Sequence, residues 1–173
     1  FPEMFVGYFG ESIIKRAREK KLLKISVHHL RKWARDKHHK VDDKPYGGGP
    51  GMVFKVEPIY RALREITKLR NYEITKTKNS KFRNFANSQF RIILTSARGK
   101  QFTAEDARRL AKYKRVVIIC GRYEGVDERV AEHLADEEIS IGPYVLTGGE
   151  LPAMVMIDSI ARQVPCVLGK LES

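Results

Sequence analysis

Residues 92–163 constrain the fold of this chain more than any other stretch. Three short, mostly apolar runs, Ile92-Ile93-Leu94-Thr95, Val116-Val117-Ile118-Ile119-Cys120 and Glu138-Ile139-Ser140-Ile141, each end in small or glycine-rich residues and each precede a helix-forming segment. Short runs rich in β-branched residues between turn formers mark buried strands. The segments between them read as helices. Thr103-Ala104-Glu105-Asp106 opens one with a capping-box pattern, Asp replacing the usual Glu, and that helix runs to about Tyr113. A short helix is expected from about Asp127 to Leu134, and a third from about Glu150 to Gln163. This alternation predicts an α/β fold, a mainly parallel sheet with flanking helices. The third helix carries Leu151, Ala153, Met154, Val155, Met156, Ile157, Ile160 and Ala161, apolar on most sides, which implies burial in the core or against a second subunit.

The first half is different in character. Residues 1–91 carry 22 basic and 9 acidic side chains, whereas residues 92–173 carry 11 and 12. So lopsided a charge points to a polyanionic partner, with nucleic acid the default. Residues 11–23 read as a helix with Ile13, Ile14, Ala17 and Leu22 near one face and five cations on the other. Ser26-Val27-His28-His29-Leu30 has the pattern of a short strand. It leads into a basic run, residues 31–40, with Trp33 embedded; that Trp either anchors the local core or meets phosphates and bases. Four glycines and two prolines within residues 45–51 predict a long loop. Glu57 to Leu69 reads as an amphipathic helix with Pro58 in its first turn, and residues 70–91 as a basic insertion or hairpin. No apolar run approaches the ~18 residues of a membrane-spanning helix. Cys120 and Cys166 lack zinc spacing and suit a reducing compartment, and the pairs His28-His29 and His38-His39 lack further metal ligands, so no metal site is expected.

In open α/β sheets, ligands bind at the carboxyl ends of strands. Here those ends are Ser96-Ala97-Arg98-Gly99, Gly121-Arg122-Tyr123-Glu124-Gly125 and residues 142–149. Three such loops at one edge would form a crevice with accessible main-chain groups, suited to a nucleoside. The glycine patterns of dinucleotide and nucleotide triphosphate sites are absent.

The loops carry longer motifs as well. Phe1-Pro2-Glu3-Met4-Phe5, Pro45-Tyr46-Gly47-Gly48-Gly49-Pro50-Gly51-Met52, Cys120-Gly121-Arg122-Tyr123-Glu124-Gly125-Val126-Asp127-Glu128-Arg129-Val130, Tyr144-Val145-Leu146-Thr147-Gly148-Gly149-Glu150-Leu151-Pro152-Ala153 and Ile157-Asp158-Ser159-Ile160-Ala161-Arg162 occur in that order. Together they resemble the bacterial tRNA (guanine-N1)-methyltransferases of the SPOUT class. The resemblance covers nearly the whole chain apart from residues 70–91.

The resemblance implies a trefoil knot at the cofactor site, bent S-adenosyl-L-methionine as cofactor, and methylation of N1 of the guanosine just 3′ of the anticodon in tRNA. It also implies a cytoplasmic homodimer with sites between subunits, and neither a membrane nor DNA as partner. Carried onto this chain, the cofactor-binding residues are Leu94, Thr95, Ser96, Gly121, Ile141, Gly142, Pro143, Tyr144, Val145, Leu146, Gly148 and Gly149. Main-chain groups of residues 141–146 would hold the adenine, with Leu146 packing near it. Glu124 would lie near the methionine end, and Arg162 would contact the guanine and stabilise charge on its O6. Without the resemblance, Glu124 reads as a helix-start acid beside Arg129, and Arg162 as the partner of Asp158 four residues earlier.

The implied domain is residues 1–168, with its first strand truncated, and residues 169–173 start an interdomain linker. The family's tRNA-gripping C-terminal domain and its general-base Asp would lie past Ser173, so the isolated chain is expected to be weakly active or inactive. Pro143 stands where the family usually has Asp, and Ser96-Ala97-Arg98-Gly99 where Ser-Pro-Gln-Gly is common. Two alternatives stay open: a non-enzymatic RNA-binding module that kept the fold, and a related methyltransferase with another RNA target.

Overall fold

Apolar residues alternate in destination along the first long strand, and that alternation organises the molecule. The computed structural model describes residues 1–45, 47–67 and 90–168. The element order is α1 (Glu3–Phe9), α2 (Ser12–Glu19), β1 (Asp42–Asp43), β2 (Val53–Phe54), α3 (Val56–Thr67), β3 (Phe90–Gln101), α4 (Ala104–Leu110), β4 (Arg115–Cys120), β5 (Glu137–Ser140) and α5 (Glu150–Ala161). A 3-10 turn spans Leu30–Trp33 and a π-helical turn spans Val130–Leu134. None of the described helices is long and apolar enough to cross a membrane. Most of the expected basic insertion at 70–91, and the expected linker at 169–173, lie outside the described residues.

β3 is central in a parallel three-stranded sheet of order β4-β3-β5. Successive side chains of a strand face opposite sides. Ile92 therefore joins Val56, Ile59, Leu63, Val130 and Leu134, under α3 and the π-helical turn. Ile93 joins Leu110, Ile139 and Met156, under α4 and α5. Burial on both faces accounts for the continuous apolar run. A third cluster, Phe5, Phe9, Ile14, Ala153 and Ala161, seats α1 and α2 on α5.

Several local expectations are corrected. Residues 3–9 form a helix that the opening residues did not suggest; Phe5 and Phe9, four apart, supply its buried stripe. The run from Ser26 to Leu30 is not a strand. Leu30 packs against the α3 cluster, and the His29 side chain accepts a hydrogen bond from the Arg31 amide to cap the 3-10 turn. Trp33 is buried, and its Nε1 donates to Glu65 at 2.7 Å, so it anchors the core and does not stack on a ligand. β3 does not stop at Thr95. Residues 96–99 bulge out, and the strand returns so that Thr95 and Lys100 both pair with Ile139. Gly99 permits the return, because a Cβ there would lie 2.6 Å from the Ile139 amide nitrogen.

The capping box at Thr103 is present, with Asp106 as its acid. Asp106 is buried and also accepts from Lys100 (2.9 Å) and Arg109 (3.0 Å), while Arg109 reaches Glu137 on β5 (2.7 Å). Burial alone would raise the Asp106 carboxyl, but hydrogen bonds from Lys100, Arg109 and Thr103 outweigh it and bring it down to about 2. A depressed carboxyl stabilises the fold above its unfolded value near pH 4 and loses that contribution as pH falls through about 2. Asp106→Asn is therefore expected to cost about 2 kcal/mol at neutral pH, some of it screened at the exposed Lys100. Urea unfolding at several pH values checks this: the gap from wild type should shrink between pH 4 and pH 2.

Candidate functional site

The chain leaving β5 does not stay at its own edge of the sheet. Residues 141–149 cross the carboxyl end of β3 and reach β4, where Gly148 bridges Arg122 and the Gly149 amide donates to the Gly121 carbonyl at 2.8 Å. Gly149 is indispensable to that crossing. A Cβ there would collide with Thr95 Oγ1 and lie 2.8 Å from the Cys120 Cα. The crossing closes a cavity of about 350 Å³ over the strand ends. It sits where the strand order reverses around β3, the position at which open α/β sheets bind ligands.

Most of the expected site residues meet here. Leu94, Thr95 and Ser96 form the floor, Gly121 and Glu124 one wall, and Ile141, Tyr144, Val145, Leu146, Gly148 and Gly149 the other. Gly142 and Pro143 do not line the cavity. Gly142 is tied to Ser140, whose Oγ donates to its carbonyl at 2.8 Å, and Pro143 is exposed on the crest of the loop. The amide that proline lacks is therefore not taken from the cavity wall. Arg162 caps the far end of α5, about 15 Å of helix beyond Pro152, the last residue of that helix to line the cavity. One chain does not bring Arg162 and Glu124 together.

Neither simpler reading of these two residues holds. Arg129 pairs with Asp127 at 2.7 Å, leaving Glu124 without an ion pair among the described residues. Asp158 accepts from the Tyr8 hydroxyl at 2.9 Å, and Arg162 makes no ion pair there. Instead, Glu124 is braced from the first half of the chain. Its amide donates to the Met52 carbonyl at 3.1 Å, Phe54 bridges Val126, and a Cβ on Gly51 would lie 2.5 Å from the Glu124 Cγ. The glycine-rich loop thus leads into a strut for the cavity wall. Beside it, Tyr123 holds φ at +61°, an uncommon backbone setting for a bulky residue.

Two polar groups were not legible from spacing. Arg98, on the β3 bulge, reaches Glu128, just past the loop after β4, at 2.6 Å and Glu138 on β5 at 3.2 Å. Arg122 donates from Nε to Glu150 Oε1 at 2.8 Å, its guanidinium lies 4.3 Å from the Phe1 ring centroid, and Nη2 reaches Met4 Sδ at 3.2 Å. Glu150 is buried, with Oε2 lacking a hydrogen-bond partner among the described residues. It starts α5, where the helix dipole favours a negative charge. The only sequence signals were an acid in the first turn of that helix and an Arg in a glycine-rich loop. Burial, and then the Glu150 charge, push the Cys120 thiol up to about 12, so it stays protonated and is no nucleophile. The site is equipped to hold a ligand between main-chain groups and apolar walls.

Comparison with known proteins agrees with this architecture. The family model described as tRNA (Guanine-1)-methyltransferase TrmD matches residues 1–173. The chain belongs to this family. It is 49% identical over 173 residues to a tRNA (guanine-N(1)-)-methyltransferase of Dehalococcoides mccartyi, covering 100% of this chain and 63% of that relative. It is likewise 49% identical over 173 residues to the enzyme of that name from Desulforamulus reducens, covering 100% of this chain and 62% of that one. A solved tRNA (m1G37) methyltransferase from Aquifex aeolicus superposes with a TM-score of 0.79 at 36% identity, covering 98% of this chain and 69% of that structure. The expected α/β fold with its parallel sheet is thus the fold of the TrmD family. The chain spans about 63% of the length of the curated relatives it matches.

Removing one member of the Arg122–Glu150 pair leaves a buried charge unpaired, which costs more than removing both. Arg122→Met is expected to destabilise the chain by about 3 kcal/mol. The double variant with Glu150→Gln should be more stable than Arg122→Met alone, as read by urea denaturation.

Proposed function

We propose that this chain is the cofactor-binding domain of an S-adenosyl-L-methionine-dependent enzyme that methylates N1 of the guanosine 3′ of the anticodon in tRNA. The carrying observation is the crossing of residues 141–149 over β3, which forms one wall of a cavity lined by all but Gly142 and Pro143 of the residues the family resemblance assigns to the cofactor. The cavity fits such a group. Its volume of about 350 Å³ lies in the range of small-ligand sites, and its walls offer main-chain groups, apolar side chains and the unpaired Glu124 carboxylate. When bound, the cofactor supplies an electrophilic methyl group on a sulfonium.

The protein's own contribution is placement and charge. Main-chain groups of residues 141–146 would hold the adenine, with Leu146 packing near it. Thr95, Ser96, Gly121, Gly148 and Gly149 would complete the cofactor site, in a knotted arrangement of the chain. Glu124 would lie near the methionine end. Positioning of this kind supplies much of the rate of a displacement reaction. Guanine N1 is protonated at neutral pH and must lose that proton to a base within hydrogen-bond reach. The resemblance places that base on an Asp of the longer protein, past Ser173; Glu128 and Glu138, near the cavity, are held by Arg98.

Arg162 serves a site formed between two subunits, where its guanidinium stabilises charge on guanine O6. A second copy is supported by the exposed apolar side chains of α1 and α5, Met4, Val6, Leu151 and Val155. The cationic first half supports tRNA as the partner, and the reaction belongs in the cytoplasm.

Calorimetric titration with S-adenosyl-L-methionine tests the reading. Saturable binding of one per chain is expected. Gly121→Leu should abolish it, because a Cβ at Gly121 already meets Val126 Cγ1 at 3.3 Å and a longer side chain would crowd the cavity that Gly121 lines; a thermal melt checks that the variant is folded. Methyl transfer to tRNA by the isolated chain should fall at least ~100-fold below that of the full-length protein, the scale of a missing general base. A folded wild-type dimer that binds tRNA but not the cofactor would favour the non-enzymatic RNA-binding reading.

A further inference from the structure

One segment of the basic first half is built more rigidly than its composition requires. Residues 31–40 contain five Lys and Arg and a single acid, Asp36. Lys32 pairs with Glu65 at 3.1 Å, but Arg31, Arg35, Lys37 and Lys40 are exposed and form no ion pair among the described residues. Asp36 forms an ion pair with none of them. Its carboxylate accepts from the amides of His38 (3.0 Å) and Lys40 (3.0 Å), and its carbonyl accepts from the amide of His39 (3.0 Å). Three consecutive amides thus close on one residue, and His39 adopts φ of +50° to make the turn. The hydrogen bond from the Lys40 amide leads the causes that hold the Asp36 carboxyl below its usual range.

The turn is also fixed at both ends. On one side Trp33 is buried, with Nε1 on Glu65 and its carbonyl accepting from Arg61 at 3.2 Å. On the other, Val41 is buried and its carbonyl accepts from the Lys55 amide at 2.8 Å. Past Val41, β1 pairs with β2, and Phe54 of β2 bridges Val126, two residues from Glu124. A short ladder therefore connects the cationic turn to the wall of the cavity. Asp43, on that ladder, is itself engaged by Lys55 at 3.8 Å.

We propose that residues 35–40, stapled by Asp36, form a preorganised phosphate-contact surface for the RNA substrate. Arg35, Lys37 and Lys40 meet backbone phosphates, and Asp36 is a positioning residue that presents them. Fixing the turn before binding removes an ordering cost that a mobile basic loop would meet on association. This inference rests on the RNA-modifying reading above for the identity of the polyanion.

The test separates a staple from a charge. Asp36→Ala and Asp36→Asn each remove one negative charge, but only Asn retains an oxygen acceptor for the amides. Long-range electrostatics alone predicts that both variants bind RNA more tightly. The staple predicts that Asp36→Ala binds about tenfold more weakly, with Asp36→Asn restoring most of the affinity. Binding of the full-length protein to an unmodified tRNA transcript with guanosine 3′ of its anticodon would be measured by anisotropy over a range of salt concentrations. A surface double variant, Lys37→Gln with Lys40→Gln, should lower the slope of log K against log salt by about 1.5, for two lost phosphate contacts.

Tighter or unchanged binding by Asp36→Ala would overturn the proposal. So would an equal slope change from Lys15→Gln on α2 with Lys20→Gln just past its end, since any cation would then serve. Each variant is also titrated with S-adenosyl-L-methionine, and unchanged cofactor binding is expected. Wild-type protein that binds no tRNA defeats both this inference and the reading beneath it. Wild-type binding with variants of equal affinity and slope defeats this inference alone.

Discussion

The close approach of Gly149 to Thr95 and Cys120 is the contact on which the rest of the site depends. β5 lies on the opposite side of β3 from β4, so the chain leaving β5 can reach β4 only over the carboxyl end of the central strand. That passage needs a residue without a side chain at the tightest point, and it needs β3 to give way. The bulge at residues 96–99 is how β3 gives way: the strand releases its pairing at Thr95 and resumes it at Lys100 against the same residue of β5. The floor, both walls and the start of α5 all follow from this arrangement. Bulges beside sites commonly re-aim a strand in this manner.

Beneath the wall, the Arg122–Glu150 pair couples the loop after β4 to the first residue of α5. Partly buried ion pairs of this type are weak sources of stability, and their better-attested role is to fix one arrangement among several. Here the arrangement fixed is the crossing itself, since Glu150 follows Gly149 directly. Phe1 and Met4 rest on the same guanidinium, so the opening residues of the chain are part of the support for the cavity.

What was legible in the sequence was local. Strand runs, the Thr103 capping box, the amphipathic stripe of α3 and the three strand-end loops could be read because each is encoded within about a dozen neighbouring residues. Helix α1 went unread because two phenylalanines four apart make a short signal. Ser26 to Leu30 carried a strand pattern but found no strand to pair with, and Leu30 was drawn to the α3 core instead. Arg98 and Arg122 find their acids 28 to 40 residues away, beyond the reach of any periodicity. The resemblance supplied the residues of the cavity, yet Gly142, Pro143 and Arg162 fall outside its lining in a single chain. For Arg162 the physical reason is helix length: α5 carries it away from the strand ends that hold the other residues.

The asymmetry of charge along the chain acquires a meaning once the fold is known. The cavity is built mostly from the near-neutral second half, with Arg98 and Arg122 already committed to Glu128, Glu138 and Glu150. Its lining combines main-chain groups and apolar walls with the Glu124 carboxylate, which has no ion pair among the described residues. The unpaired cations of the 31–40 segment belong to the first half, where a polyanion would gain from them and where salt would screen them. The two halves meet where α1 and α2 seat on α5, where α3 covers β3, and along the seam from β1 through β2 to Val126, with Gly51 against Glu124. A small ligand and a large, highly charged one can therefore be held by physically different means on adjoining surfaces, each without disturbing the electrostatics the other requires.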